Sequence, residues 1–223
     1  MIRSPLPLLG RLARARSGVA AVEFALSLPL LLTAGMFGVE SANFIVTNMR
    51  VSQLAQQIAD DASRIGDQSM LQNKKIYESD IDDLLTGGQI QSGGLDLMHH
   101  GRVIISSLEV TATTNYQYIH WQRCRGTKAF TSAYGAAGTG TSGGFSGMGP
   151  AGNQVTADSG DAVMYVEIAY DYQPLIAASF MPIRTLRSEA SFSIRDSRDL
   201  SQIYQQNPSS PATVADCSLY TAS

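Results

Sequence analysis

Gly18 and Glu23 are the residues in this chain whose types and spacing suggest chemistry. The stretch around them reads RLARARSGVAAVEFALSLPLLL, residues 11–32. A basic leader ends in Gly18, and a glycine lies extended in a protease cleft with no side chain to clash. Cleavage there makes Val19 a new amino terminus. Glu23 follows at the fifth position after the glycine, at the start of an apolar run. A charge that close to the start of a membrane span is costly and is usually functional. The pieces suggest a short leader cut off at Gly18 and an anchored helix whose new amino end sits near Glu23. A Glu is also favoured at the positive amino end of a helix. The plainer alternative is that Glu23 only snorkels to the membrane interface.

Other residues offer less. Cys124 and Cys217 lie too far apart in sequence to form a metal-binding pattern. In an oxidising compartment they form a disulfide, which ties the chain's tail to a strand; two free thiols are the alternative. His99 and His100 are adjacent, so their side chains diverge, and His120 stands alone. No serine sits in a nucleophile-elbow pattern. Asp60-Asp61 and Asp82-Asp83 read as solvated helix faces. Neither an enzyme nor a cofactor is expected.

These residues must be held by a membrane helix. Phe24 to Val39 carries no charge, and the stretch from Val19 to Val46 exceeds the roughly 20 residues that cross a bilayer core. Arg3, Arg11, Arg14 and Arg16 precede it with no acid among them, which predicts a cytoplasmic amino end. An ordinary signal peptide competes with this reading. Against it, an acid interrupts the apolar start and no clean A-x-A site follows. Glu40, near the far end, reads as a solvated marker of the outer interface. The leader takes four of the 16 basic residues, leaving 12 against 19 acids, a net −7. An acidic remainder without a basic patch argues against nucleic acid.

Beyond the span, Val51, Leu54, Ile58, Ala62 and Ile65 recur at helical spacing, so one helix is predicted from about 19 to 65, kinked at Pro29. A second, short helix is capped by Ser79 and Asp82, carries Tyr77, Ile81, Leu84 and Leu85, and stops at Gly87-Gly88. The period then changes to two. Strands are predicted over 103–112, 116–124, 164–172 and 186–194, with a turn at Thr113-Thr114-Asn115. Met164, Val166, Ile168, Tyr170 and Tyr172 face one side; Glu167 and Asp171 face the other. That alternation predicts an antiparallel sheet with one wet face. Residues 133–160, rich in Gly, Ser, Thr and Ala, read as a flexible surface loop, and 207–223 as an irregular tail.

The segment SGVAAVEFALSLPLLL, residues 17–32, resembles the start of TadE-like proteins, the pseudopilins of tight-adherence (Flp-type) pilus and secretion systems. Such proteins carry a basic leader, a glycine, a Glu five residues on and then an aromatic: here Gly18, Glu23 and Phe24. Major pilins of these systems commonly have Tyr where this chain has Phe24, which suits the TadE-like branch. The resemblance covers residues 11–60. It implies that a membrane-embedded prepilin peptidase cuts between Gly18 and Val19, and that Glu23 then pairs with its own or a neighbouring subunit's amine. It also implies a pilin-like α+β fold, a long N-terminal transmembrane helix packed on an antiparallel β-sheet. The implied organisation is a cleaved leader (1–18), a transmembrane helix (19–47), its continuation (48–66), a periplasmic domain (67–206) and a tail (207–223). The implied role is that of a minor pilin in the bacterial inner membrane that primes, caps or scaffolds a Flp-type pilus used in adhesion or secretion. Its partners would be the peptidase, other pilins and pseudopilins, the assembly platform and membrane lipid, in a hetero-oligomer. The alternative is an uncut, single-pass anchored binding module; a secreted hydrolase is remote.

Overall fold

The computed structural model describes residues 17–67, 72–176 and 184–222; the arginines of the leader fall outside these. Helix α1 spans Ser17–Ala62, 46 residues, roughly 70 Å at 1.5 Å per residue. Pro29 lies inside it without ending it. The proline removes one amide from the ladder, and Thr33 Oγ1 donates to the Pro29 carbonyl at 2.6 Å. The first half of α1 is exposed, with Leu26, Leu30 and Leu31 between 66% and 73% exposed. The second half is amphipathic. Val51, Leu54, Ala55, Ile58, Ala59 and Ala62 are buried, while Gln53, Gln56, Gln57 and Asp61 face out. Burying one large apolar side chain contributes about 1.5–3 kcal/mol. An exposed ion pair such as Arg64–Asp60 contributes under about 1 kcal/mol. Packing therefore holds this half in place.

Helix α2, Glu78–Ser92, crosses α1. The Asp80 carboxylate accepts the Tyr77 amide at 2.9 Å, so Asp80 caps it in place of the expected Ser79 and Asp82. The helix also runs straight through Gly87-Gly88, where a stop was expected. Gly88 is there for contact: a Cβ would lie 2.9 Å from Ile58 Cδ1. A short 3₁₀ turn, Gly93–Leu95, and helix α3, Leu97–His100, lead into the sheet.

Four strands follow: β1 (Gly101–Val110), β2 (Gln117–Arg125), β3 (Ala162–Asp171) and β4 (Thr185–Ser193). Their order is β2-β1-β3-β4, and every pair is antiparallel. The β1–β2 register shifts between Ser107 and Leu108, which leaves His120 as an extra residue. Its ring meets Glu109 Oε2 at 2.9 Å, and that hydrogen bond raises the imidazole pKa above its ordinary value. Val103, Ile105, Trp121, Met164, Val166, Ile168, Tyr170 and Leu186 form the face beneath α1 and α2.

The other face is not wet. Leu108, Ile119, Val163 and Tyr165 are buried there beneath Met148 and Ala157, with Tyr134, Phe145 and Val155 packed around them. These covering residues come from the stretch expected to be a flexible surface loop. Its glycines bring backbone against backbone: at Gly140 (φ 95°) a Cβ would lie 2.3 Å from the Gln117 carbonyl. The loop also lines β2's outer edge, where Ile119 N donates to Thr139 O and Gly138 N to Ile119 O. The C-terminal tail covers the rest of that edge, with Cys124 N donating to Ala215 O and Gly126 N to Thr221 O.

Covering this face buries Glu167, which is 1% exposed. Its Oε1 accepts the Ala133 amide at 2.9 Å, and its Oε2 has no partner among the described residues. Burial raises its pKa, and Glu189, opposite it on β4, adds to the rise; Ser132, Ala133 and Arg187 oppose it. For an acid with a raised folded pKa, stability is greatest below the unfolded value of 4.5. It declines as pH rises through the folded value. Glu167→Gln keeps the acceptor for Ala133 and removes the charge. It should stabilise the protein by on the order of 1 kcal/mol at neutral pH. Urea titrations of both proteins should show the gap closing below pH 4.5.

Candidate functional site

The amino-terminal segment is built for access. Gly18 sits in the first turn of α1, and among the described residues none beyond its own stretch of helix comes within 4 Å of the position its Cβ would take. Val19 and Phe24 are 58% and 61% exposed, and Glu23 is exposed beside them. A glycine in a helix costs about 1 kcal/mol relative to Ala, so this first turn unwinds readily into an extended strand. Glu23 has no ion-pair partner among the described residues. The structure thus presents Gly18, Val19, Glu23 and Phe24 on one unencumbered stalk, free to meet another molecule.

Where the stalk meets the domain, the chain holds a clasp that sequence reasoning missed. Glu40 is 3% exposed, buried by its own domain and not solvated at an interface as expected. Its Oε1 accepts a short hydrogen bond from the Tyr172 hydroxyl. Its Oε2 accepts the amides of Leu175 and Ile176, each at 3.1 Å. Asn43 Nδ2 donates to the same tyrosine oxygen at 2.7 Å, and Phe44 packs edge-on against the ring at 5.1 Å. Glu40, Asn43 and Phe44 share one helical face, and that spacing was the signal available in the sequence.

The opposite end of α1 is fixed from a distance. The Arg198 guanidinium donates to Ala62 O and, at 2.8 Å, to Ile65 O, so it closes carbonyls the helix leaves open. Burial brings its pKa down to about 10.

Cys124 and Cys217 are joined in a disulfide across 93 residues. Beside it Arg102, 1% exposed, donates to the carbonyls of Gly126, Leu219 and Cys217 at 3.0, 2.9 and 2.7 Å. Its guanidinium carbon lies 4.0 Å from the Tyr220 ring centre. Between this strap and the sheet lies a cleft of 580 Å³ lined by Arg102, Gln122, Phe130, Ser132 and Asp216, among others. His99 pairs with Asp96 on the surface. Among the described residues, no group of three His, Cys, Asp or Glu side chains is placed to hold a metal.

Residues 18–60 match the model of a family described as TadE-like protein. No curated protein and no solved structure matches the chain. The matched stretch is the one that carries Gly18, Val19, Glu23 and Phe24, and it is similar to the corresponding segment of TadE-like proteins. The apolar helix Gly18–Ala62 is long and apolar enough to anchor it in a membrane.

Proposed function

We propose, from the TadE-like segment at residues 18–60, that this chain is a minor pilin processed by a prepilin peptidase between Gly18 and Val19. The observation that carries this reading is the exposed stalk: an accessible glycine, then Glu23, on an exposed helix of membrane length. The stalk sits in the inner membrane, its amino end in the cytoplasm and its domain in the periplasm. Once trimmed, the Val19 ammonium and Glu23 of packed helices neutralise one another in the apolar bundle. The chain's role is structural, not enzymatic: it primes, caps or scaffolds pilus assembly alongside other pilins and the platform. Amino-terminal sequencing of protein recovered from membranes tests this. Val-Ala-Ala supports the reading, and Met-Ile-Arg defeats it.

Glu23→Ala should spare cleavage, because the carboxylate lies beyond the cut. It should reduce filament yield about tenfold, the equivalent of ~1.4 kcal/mol in one assembly contact. Sheared-pilus yield at equal levels of mature protein gives the measure; an unchanged yield removes the pairing role.

The second reading, an uncut anchored binding module, draws on the cleft beneath the C-terminal strap. It requires the leader to be retained, so the same sequencing separates the two.

A further inference from the structure

The domain carries an apolar feature at the level where the stalk leaves the membrane. Val19 to Val39 is about 21 residues, roughly 30 Å of helix, which matches the hydrocarbon core. Glu40 therefore marks the upper edge of that core. The backbone of the β3–β4 connection is fastened to this residue through the Leu175 and Ile176 amides. The connection is closed at its base, since Tyr172 N donates to Arg184 O at 2.9 Å. Leu175 is nevertheless 65% exposed, beside a carboxylate that is buried. The sequence from Gln173 to Ile183 holds no charged residue, and Arg184 follows immediately, a type suited to lipid phosphates.

We propose that Leu175 and Ile176 form a second contact with the lipid bilayer, seated at the headgroup–acyl boundary beside Glu40. Chain continuity selects lipid as the occupant. The stalk enters the bilayer directly below Glu40, and the clasp holds these residues within hydrogen-bonding distance of that point. An apolar side chain at this depth gains by entering the interface. With stalk and connection both touching the bilayer, the domain is fixed in tilt and rotation before any partner binds. The inference rests on the membrane-spanning reading of the stalk, and not on cleavage or pilus entry.

The test uses the full chain in vesicles of phosphatidylcholine and phosphatidylglycerol carrying a doxyl quencher on the acyl chain. A fluorescent maleimide is attached at Leu175→Cys with the Cys124–Cys217 bond intact. Two further labels serve as references: Leu30→Cys within the span, and Ser193→Cys at the far end of β4. The label at 175 should lose most of its emission, as the one at 30 does, while the one at 193 keeps its own. If 30 is quenched and 175 behaves like 193, the contact is absent although the span is real. A label at 175 shielded from both doxyl and aqueous iodide would mean protein covers it, and also overturns the proposal. If 30 escapes quenching too, the span and the contact fall together.

Discussion

With Gly18→Val, the chain accumulates at full length with Met1 still in place. A β-branched side chain stiffens the backbone and fills space that the scissile residue must leave empty in a protease cleft. Loss of mature protein by tenfold or more, ~1.4 kcal/mol in the cleavage barrier, is the expected magnitude. Intact mass of membrane protein from cells making the peptidase gives the readout. The substitution is clean because, among the described residues, none beyond the local helix lies within 4 Å of the added carbon. A failure to mature would therefore report on the peptidase and not on folding. Gly18→Ala should fall between the two. Normal accumulation of the trimmed form with valine in place would remove Gly18 as the processing residue.

The other large effect concerns stability. Replacing Cys124 and Cys217 together by Ser should lower the unfolding free energy by about 2–5 kcal/mol, the range for closing a loop of this length. The upper part of the range is expected because the bond does more than restrict the unfolded chain. It holds the carbonyls of Cys217 and Leu219 against Arg102. That guanidinium is buried, and its acceptors are carbonyls, with no carboxylate among them. A loosened strap leaves a charge with neither water nor enough acceptors, which is costly. Denaturant titration of the detergent-solubilised chain, followed through the buried Trp121, measures the loss. A change below about 1 kcal/mol would mean Arg102 and Tyr220 hold the strap unaided.

Some of this was legible in the residues and some was not, for physical reasons. The stalk declares itself because Phe24–Val39 has no charge and the arginines lie on one side only. The sheet declares itself because Met164, Val166, Ile168, Tyr170 and Tyr172 keep a strict period of two. What hid was contact between segments far apart in the chain. Tyr134, Phe145, Met148 and Val155 follow no period, so nothing local shows that they roof the second face of the sheet. Gly87-Gly88 carries a stop signal locally, and only the crossing of Ile58 explains why the helix ignores it. Glu40 looked like a solvated boundary charge because its partners, Tyr172 and the Leu175 and Ile176 amides, lie more than a hundred residues away. Gly18, Val19, Glu23 and Phe24 are readable for the opposite reason: Val19, Glu23 and Phe24 stand exposed on the stalk, and the pattern that singles the four out is carried by type and spacing alone.

The loop and tail that seal β2 have a consequence for how copies of this domain can associate. At the sheet's other edge lies β4, against which α1 packs. With loop and tail already bonded along β2, a second copy finds no free ladder there to extend. Strand-to-strand growth outward from β2, one route to amyloid-like deposits, is thereby closed to this domain.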